Sequence, residues 1–270
     1  MMSQIPALTG GRRLSHDATS DKGFYTTGVG DKCQIFSDFF GSGPLPLVGA
    51  AGSGASIFVN QDTSSSGAPT LDHIGAGAVD IKPHYPSGVY RMKFSSDAEA
   101  QKLTLYQGDE KSIIGANGVI FEVRCAITGT FTADDRVVVG LGGNRNATLD
   151  SMNLACWFRM EGANNDITVE TNTTGIGSST TIRDVDTGKD WVSGQYHTFK
   201  IDMRKHDDVK FFVDGERCAT PNTVENNKMS IGNGRTQLYQ PFIEIQKDGG
   251  TEQHSIDIDY VSVLWDRKGL

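Results

Sequence analysis

Tyr196-His197-Thr198-Phe199-Lys200-Ile201-Asp202-Met203 and, a few residues on, Val209-Lys210-Phe211-Phe212-Val213-Asp214-Gly215 decide the fold class. Apolar residues recur at every second position, as Phe199, Ile201 and Met203 in the first run and Val209, Phe211 and Val213 in the second. Successive side chains of a β-strand point to opposite faces, so this period predicts two strands, each with one buried face. Asp214-Gly215 tolerates the positive φ angles of a type I′ turn and predicts a tight hairpin after the second run.

The same signal extends along the chain. Gln34 to Phe40, Ala55 to Asn60, Gly88 to Phe94, Leu103 to Tyr106, Val119 to Ile127 and Arg136 to Leu141 read as strands. So do Asn153 to Met160, Asp166 to Glu170, Thr180 to Arg183, Gln240 to Gln246 and Ile256 to Trp265. Clusters such as Gly142-Gly143-Asn144-Arg145-Asn146 and Glu161-Gly162-Ala163-Asn164-Asn165 carry turn chemistry between them. The nearest approach to a helix, Ser96 to Lys102, is too short to stand alone. Many short strands without a fixed repeat predict an all-β protein, a two-sheet antiparallel sandwich. Residues 31–270 form its single domain in this reading, and residues 1–30, which lack periodicity, form an extended N-terminal arm.

Composition narrows the function classes. The chain has 270 residues and a formal net charge of −8. Nucleic-acid binding needs a basic surface that releases counterions from phosphates. The densest basic stretch here, Arg204-Lys205-His206, runs straight into Asp207-Asp208, so no nucleic-acid partner is expected. No apolar run reaches the ~18 residues of a bilayer span, so no membrane partner is expected either. Met1 to Leu8 carry no signal-like apolar core, which predicts synthesis in a cytoplasm. Cys33, Cys125, Cys156 and Cys218 lie far apart without a C-x-x-C and are expected to be reduced core thiols.

A resemblance enters at the C-terminal third. Tyr196 to Asp202, the strand ending in Val213-Asp214-Gly215, and Ile256-Asp257-Ile258-Asp259-Tyr260-Val261-Ser262-Val263 resemble the paired and closing strands of concanavalin A-like and laminin G-like domains. That resemblance implies a jelly-roll sandwich of the kind shared by lectins and laminarinase-type glucanases. A longer order of motifs is similar to tailed-bacteriophage virion proteins carrying this domain. It runs from Ile35 to Phe40 through Gly88-Val89-Tyr90 and Phe121 to Arg124, then to Tyr239 to Lys247 and Ile258 to Val261. It implies a capsid decoration protein or head fibre.

Glucanases of this fold place three carboxylates on one strand face, and retaining cleavage needs two of them roughly 5–5.5 Å apart. Asp257-Ile258-Asp259 is the nearest match, but the next position on that face is read as Val261. Glu244-Ile245-Gln246 lacks a partner in the same way. Asp257 and Asp259 are therefore expected to face solvent or pin a loop, and no catalytic residue is expected. Asp184-Val185-Asp186-Thr187-Gly188 begins like a calcium loop but fails at its fifth and twelfth positions, which predicts a surface turn. Asn144, Asn146 and Asp150 could supply oxygens, but no metal site and no cofactor are expected. His197, inside a strand, is expected to be hydrogen-bonded and structural. For a glycan, aromatic faces and amides are the relevant groups, and Trp191, Tyr239, Asn144 and Asn146 are the candidates. Trp191, in a turn-rich stretch, is expected to be exposed, and Trp157, inside a strand, to pack in the core.

The leading expectation is a non-enzymatic structural protein on the surface of a virion. Its partners would be the major capsid protein or other virion proteins, and a homo-oligomer such as a trimer would be its state. The alternative is a lectin-like module that fixes the particle to a cell-surface glycan. A glycanase or lyase is the least favoured.

Overall fold

The computed structural model describes residues 89–266 apart from 95, 97, 108, 110, 134, 147, 163, 175–180 and 219–227, together with the backbone of four earlier strands. Among these residues seventeen strands pair antiparallel in two sheets. In chain order they are β1 (Phe24–Thr26), β2 (Lys32–Ser37), β3 (Val59–Asp62), β4 (Ala78–Ile81), β5 (Tyr90–Lys93) and β6 (Gln101–Tyr106). Then come β7 (Ile113–Ile114), β8 (Ile120–Thr128), β9 (Arg136–Gly142), β10 (Ala155–Glu161), β11 (Asp166–Asn172) and β12 (Thr181–Asp190). The chain continues with β13 (Tyr196–Asp202), β14 (Lys210–Val213), β15 (Glu216–Arg217), β16 (Leu238–Lys247) and β17 (Ser255–Asp266). One sheet has the order β1-β2-β17-β8-β13-β14-β15, with β5 also against β17 and β4 against β5. The other has the order β12-β11-β10-β9-β16-β6-β3, with β7 against β16.

The deciding stretch behaves as its period requires. Phe199 and Ile201 of β13 face the core, paired with Val213 and Phe211 of β14 on one side and with Val123 and Phe121 of β8 on the other. Asp214 and Gly215 have φ of 53° and 81°, as the predicted turn demands. The Asp214 carboxylate accepts the Thr198 N–H at 2.8 Å and meets His197 Nδ1 at 2.7 Å, so His197 is hydrogen-bonded within its strand. Across the core, Phe158 of β10 meets Phe199 at 5.0 Å and Phe211 at 5.2 Å between ring centroids. Such a contact ties the sheets together. A buried aromatic lost to alanine costs about 3–5 kcal/mol, well above the ~0–1 kcal/mol of an exposed ion pair.

Strand β17 changes phase midway. Ile256 and Ile258 point into the core, and so do Val261, Val263 and Trp265. Even and odd positions can share a face only because the register with β8 shifts between Ile258 and Tyr260. An extra residue there, Asp259, forms a bulge. Its carboxylate pairs with Arg124, whose guanidinium lies 4.5 Å from the centre of the Tyr196 ring. Val261 is thus a core residue, not the next position on the Asp257 face. Asp257 does not face solvent either. It is buried and accepts two hydrogen bonds from Arg91 of β5, at 2.6 and 2.8 Å. Burial of a charge demands such a partner.

Other elements differ from the sequence reading. Asp184 to Gly188 lie inside the ten-residue β12 and not in a surface turn. Asp184 and Gly188 there have φ of 53° and 67°, and the register with β11 is irregular, which disguised the strand as loop chemistry. Gln101 and Lys102, placed at the end of a helix-like run, begin β6. Strand β1 falls within the stretch read as an arm and pairs with β2. Residues 1–23, 27–30 and 38–58 lie outside the described residues. Cys125, Cys156 and Cys218 are buried and free.

Among the described residues one buried titratable pair sits at an end of the sandwich. His254 packs against Phe94 and Phe131, and its Nε2 lies 2.8 Å from Asp135 Oδ2. Burial pushes the His254 pKa below 6.5, outweighing the attraction of Asp135. A depressed folded pKa means that the stability His254 contributes is present above about pH 6.5 and is lost as pH falls through the folded value. Glu170 and Glu244, whose pKa values burial raises, act with the opposite sign. The wild type should therefore lose urea resistance from about pH 7.5 to about pH 5.5 more steeply than His254→Gln, and equal slopes would exclude His254 as the cause.

Candidate functional site

The outward face of the eight-stranded sheet is where alternation gathers chemistry. On β10, Cys156, Phe158 and Met160 face the core, so Ala155, Trp157, Arg159 and Glu161 face outward. The same parity puts Tyr106, Phe242, Glu244, Val138 and Glu170 outward from β6, β16, β9 and β11. Register aligns these into rows. One row runs Tyr106, Phe242, Gly140, Trp157, Glu170, and the next runs Thr104, Glu244, Val138, Arg159, Thr168.

Gly140 makes the aromatic row possible. A Cβ there would stand 2.5 Å from the Cys156 carbonyl oxygen and 2.6 Å from Trp157 Cα. Without that methyl, β10 closes on the glycine and the Trp157 indole stacks on Phe242, with centroids 5.8 Å apart and planes 29° apart. Tyr106 continues the row, its ring edge-on to Phe242 at 6.4 Å.

Charged side chains frame the aromatics. Trp157 Nε1–H donates to Glu170 at 2.8 Å, and Arg159 and Arg183 approach the same carboxylate at 3.4 and 3.1 Å. These arginines reach it from β10 and β12, the strands on either side of β11. Burial pushes the Glu170 carboxyl up, and the Trp157 N–H and the two guanidiniums pull it back in part. On β16, Glu244 is fully buried, accepts the Thr104 hydroxyl at 2.7 Å and lies 3.5 Å from Lys102 Nζ. Burial raises its pKa, opposed by Lys102.

The connection between β9 and β10 crosses this face. Its single 3-10 turn, Leu149–Ser151, and the following Met152 set two apolar side chains against the row formed by Trp157, Phe242 and Tyr106. Asp150 of the turn accepts from Arg159 at 2.7 Å and lies 3.7 Å from Arg183. The hydrogen bond from Arg159 holds its carboxyl below the usual range. Arg183 also donates to the Asp150 carbonyl oxygen at 2.8 Å, and Asn172 donates to the Met152 carbonyl oxygen at 2.7 Å. The aromatic row is consequently buried, although it lies outside the main core.

The four predicted sugar-site residues do not form one site. Trp191 is buried, not exposed: its ring packs 4.9 Å from that of Phe131, and its backbone N–H donates to the Asn165 carbonyl. Tyr239 lies in the core on the inward parity of β16. Asn144 and Asn146 are exposed on the β9–β10 connection. Asn144 accepts from Lys111, and Asn146 accepts the Thr148 N–H at 3.0 Å and donates to the Ser151 carbonyl at 3.4 Å. Asp150, considered as an oxygen ligand, is instead paired with arginines, and among the described residues no group of three or more His, Cys, Asp or Glu is placed to hold a metal ion. Trp157 does pack, as expected, but on the outward face. The signal was present in its parity with Arg159 and Glu161.

The two buried carboxylates of this face, Glu244 and Glu170, are too far apart to act on one glycosidic bond. Glu244 and Glu170 stand three strands apart, about 14 Å at ordinary strand spacing, beyond either glycosidase separation. Asp150 and Glu170 are closer, but both contact the same Arg159 nitrogen, and the Glu170 side chain is only 1% exposed.

Two layers, their strand order and this outward face define a concanavalin A-like jelly roll. Among solved structures, a Shewanella oneidensis protein of unknown function matches with a TM-score of 0.52 at 12% identity, over 91% of this chain and 92% of that one. A Bacteroides ovatus mixed linkage glucan GH16 protein, solved in complex with a product, matches with a TM-score of 0.50 at 10% identity, over 68% of this chain and 84% of that one. No protein-family model matches the chain, and no curated protein matches it in sequence. Gly140→Ala, which drives a methyl into β10, should lower stability by about 1–3 kcal/mol in urea unfolding, and an unchanged midpoint would refute the close packing of Trp157.

Proposed function

We propose that this chain is a non-catalytic carbohydrate-recognition module. The observation that carries the reading is the outward sheet face on which Arg159, Arg183, Glu161 and Glu170 gather around an aromatic row, Trp157, Phe242 and Tyr106, that the β9–β10 connection covers. Fixed charged and amide side chains that meet sugar hydroxyls are what glycan recognition uses, and here they lie at the edge of the covered row. Arg183, Glu161 and Asn144 stand at the accessible margin of that face. The GH16 protein with the same fold is in complex with a product, and carbohydrate as the ligand class comes to this chain as part of this proposal. The separation of the buried Glu170 and Glu244 by three strands supports binding over cleavage by that pair.

A place on a virion surface, implied by the motifs at 35–40 and 258–261, is compatible with this reading, since a module that fixes a particle to a polysaccharide needs both properties. Capsid or other virion proteins would then be its neighbours. Mass spectrometry of purified particles tests that part, and particles without the chain would end it.

A glycan array probed with the full chain tests the main reading. At least one polysaccharide class should bind, and Arg183→Ala should weaken it about tenfold, the ~1.4 kcal/mol of one charge-assisted hydrogen bond. No binder on the array would overturn the proposal.

A further inference from the structure

We infer that His254 is an acid-sensitive latch at one end of the sandwich: protonation of its imidazole expels the ring from between Phe94 and Phe131 and frees the start of β17, while the two sheets stay folded. The inference is independent of the carbohydrate reading above.

The surroundings of the ring leave no place for a second proton. His254 is buried, and its Nε2 lies 2.8 Å from Asp135 Oδ2, an oxygen that also accepts the Thr132 hydroxyl at 2.9 Å. Nδ1, on the other side of the ring, has no hydrogen-bond partner and faces the Gly129 backbone. Gly129 has a φ of 118°, and a Cβ there would stand 3.0 Å from Nδ1 and 2.7 Å from the Gln253 carbonyl oxygen. The glycine lets the chain close on the ring at that nitrogen.

Charge points the same way. The charged groups facing the imidazole are Asp135 from the β8–β9 connection, Lys247 from β16 and Glu252 from the β16–β17 connection. Lys247 is fully buried, its Nζ donating to the Gly250 carbonyl at 3.0 Å and lying 5.9 Å from the centre of the Phe94 ring. Glu252 is exposed, so a neutral His254 leaves one buried cation against one buried carboxylate, and protonation adds a second cation near Lys247. Asp135 favours the proton on Nε2 but offers nothing to an N–H at Nδ1, and a buried charged donor without an acceptor is costly. Water is near, since Asp248 and Gly250 to Gln253 are exposed. Lys247 keeps its bond to Gly250 when the ring leaves, so the turn stays in place. The change falls on His254 itself, whose carbonyl accepts the Phe94 N–H at 2.9 Å.

The test uses the full chain and follows two amides by hydrogen exchange, corrected for the intrinsic effect of pH on exchange. The Phe94 N–H reports the latch, and the Met203 N–H, bonded to the Val119 carbonyl at 2.8 Å, reports the other end of β8. Burial holds the folded pKa of His254 below 6.5, so opening is favoured as pH falls from about 6.5 to the folded value. Between about pH 7.5 and about pH 5.5 the Phe94 protection factor should fall about five- to tenfold in the wild type, with Met203 unchanged and no fall at Phe94 in His254→Gln. NMR titration of the wild-type His254 ring, which needs no variant, should give a midpoint below 6.5. An unchanged Phe94 protection factor, a parallel fall at Met203, the same fall in His254→Gln, or a ring midpoint at or above 6.5 would each overturn the latch.

Discussion

Phe158, lodged between Phe199 and Phe211, is the contact on which the rest depends. It commits the even positions of β10 to the space between the sheets. Because a strand alternates, the odd positions must then face away, and these are Trp157, Arg159 and Glu161. The core thus determines the outward face without touching it. The same logic runs through β16, where Ile243 and Ile245 inside send Phe242 and Glu244 outside.

That outward face departs from the usual division of an antiparallel sheet into an apolar and a solvated side. Strands β10 and β16 are buried on nearly every residue because the β9–β10 connection and its apolar side chains cover the centre of the row. Charges left there cannot rely on water. Each is met by an opposite charge or a hydrogen-bond donor: Glu170 by Trp157 and two arginines, Glu244 by Thr104 and Lys102. Such pairs add little net stability over apolar packing, since desolvation offsets the attraction, but breaking one partner is costly. They fix geometry, and geometry is what a recognition surface needs.

Much of this was legible in the residues. The period-two runs located the main strands, and Asp214-Gly215 located a hairpin, because backbone sterics and alternation act locally. Glu244 and Trp157 were both singled out, one as half of an acidic pair and one as a core aromatic. Their meeting on one face was not visible, because they lie on different strands joined only through β9. Trp191 misled for the opposite reason. Turn-rich neighbours suggested exposure, whereas its burial depends on Phe131, sixty residues earlier in the chain.

By itself the sequence determined the all-β class, the positions of most strands and the net acidic charge, since these follow from periodicity and composition. Tertiary structure alone decided the bulge at Asp259 that reverses the parity of β17, the burial of Asp257 on Arg91, and the β9–β10 connection whose Asp150 meets Arg159 and Arg183. Each of these depends on which strands become neighbours. Pairing between segments far apart in the chain is set by the packing of the whole core, and no local pattern encodes it.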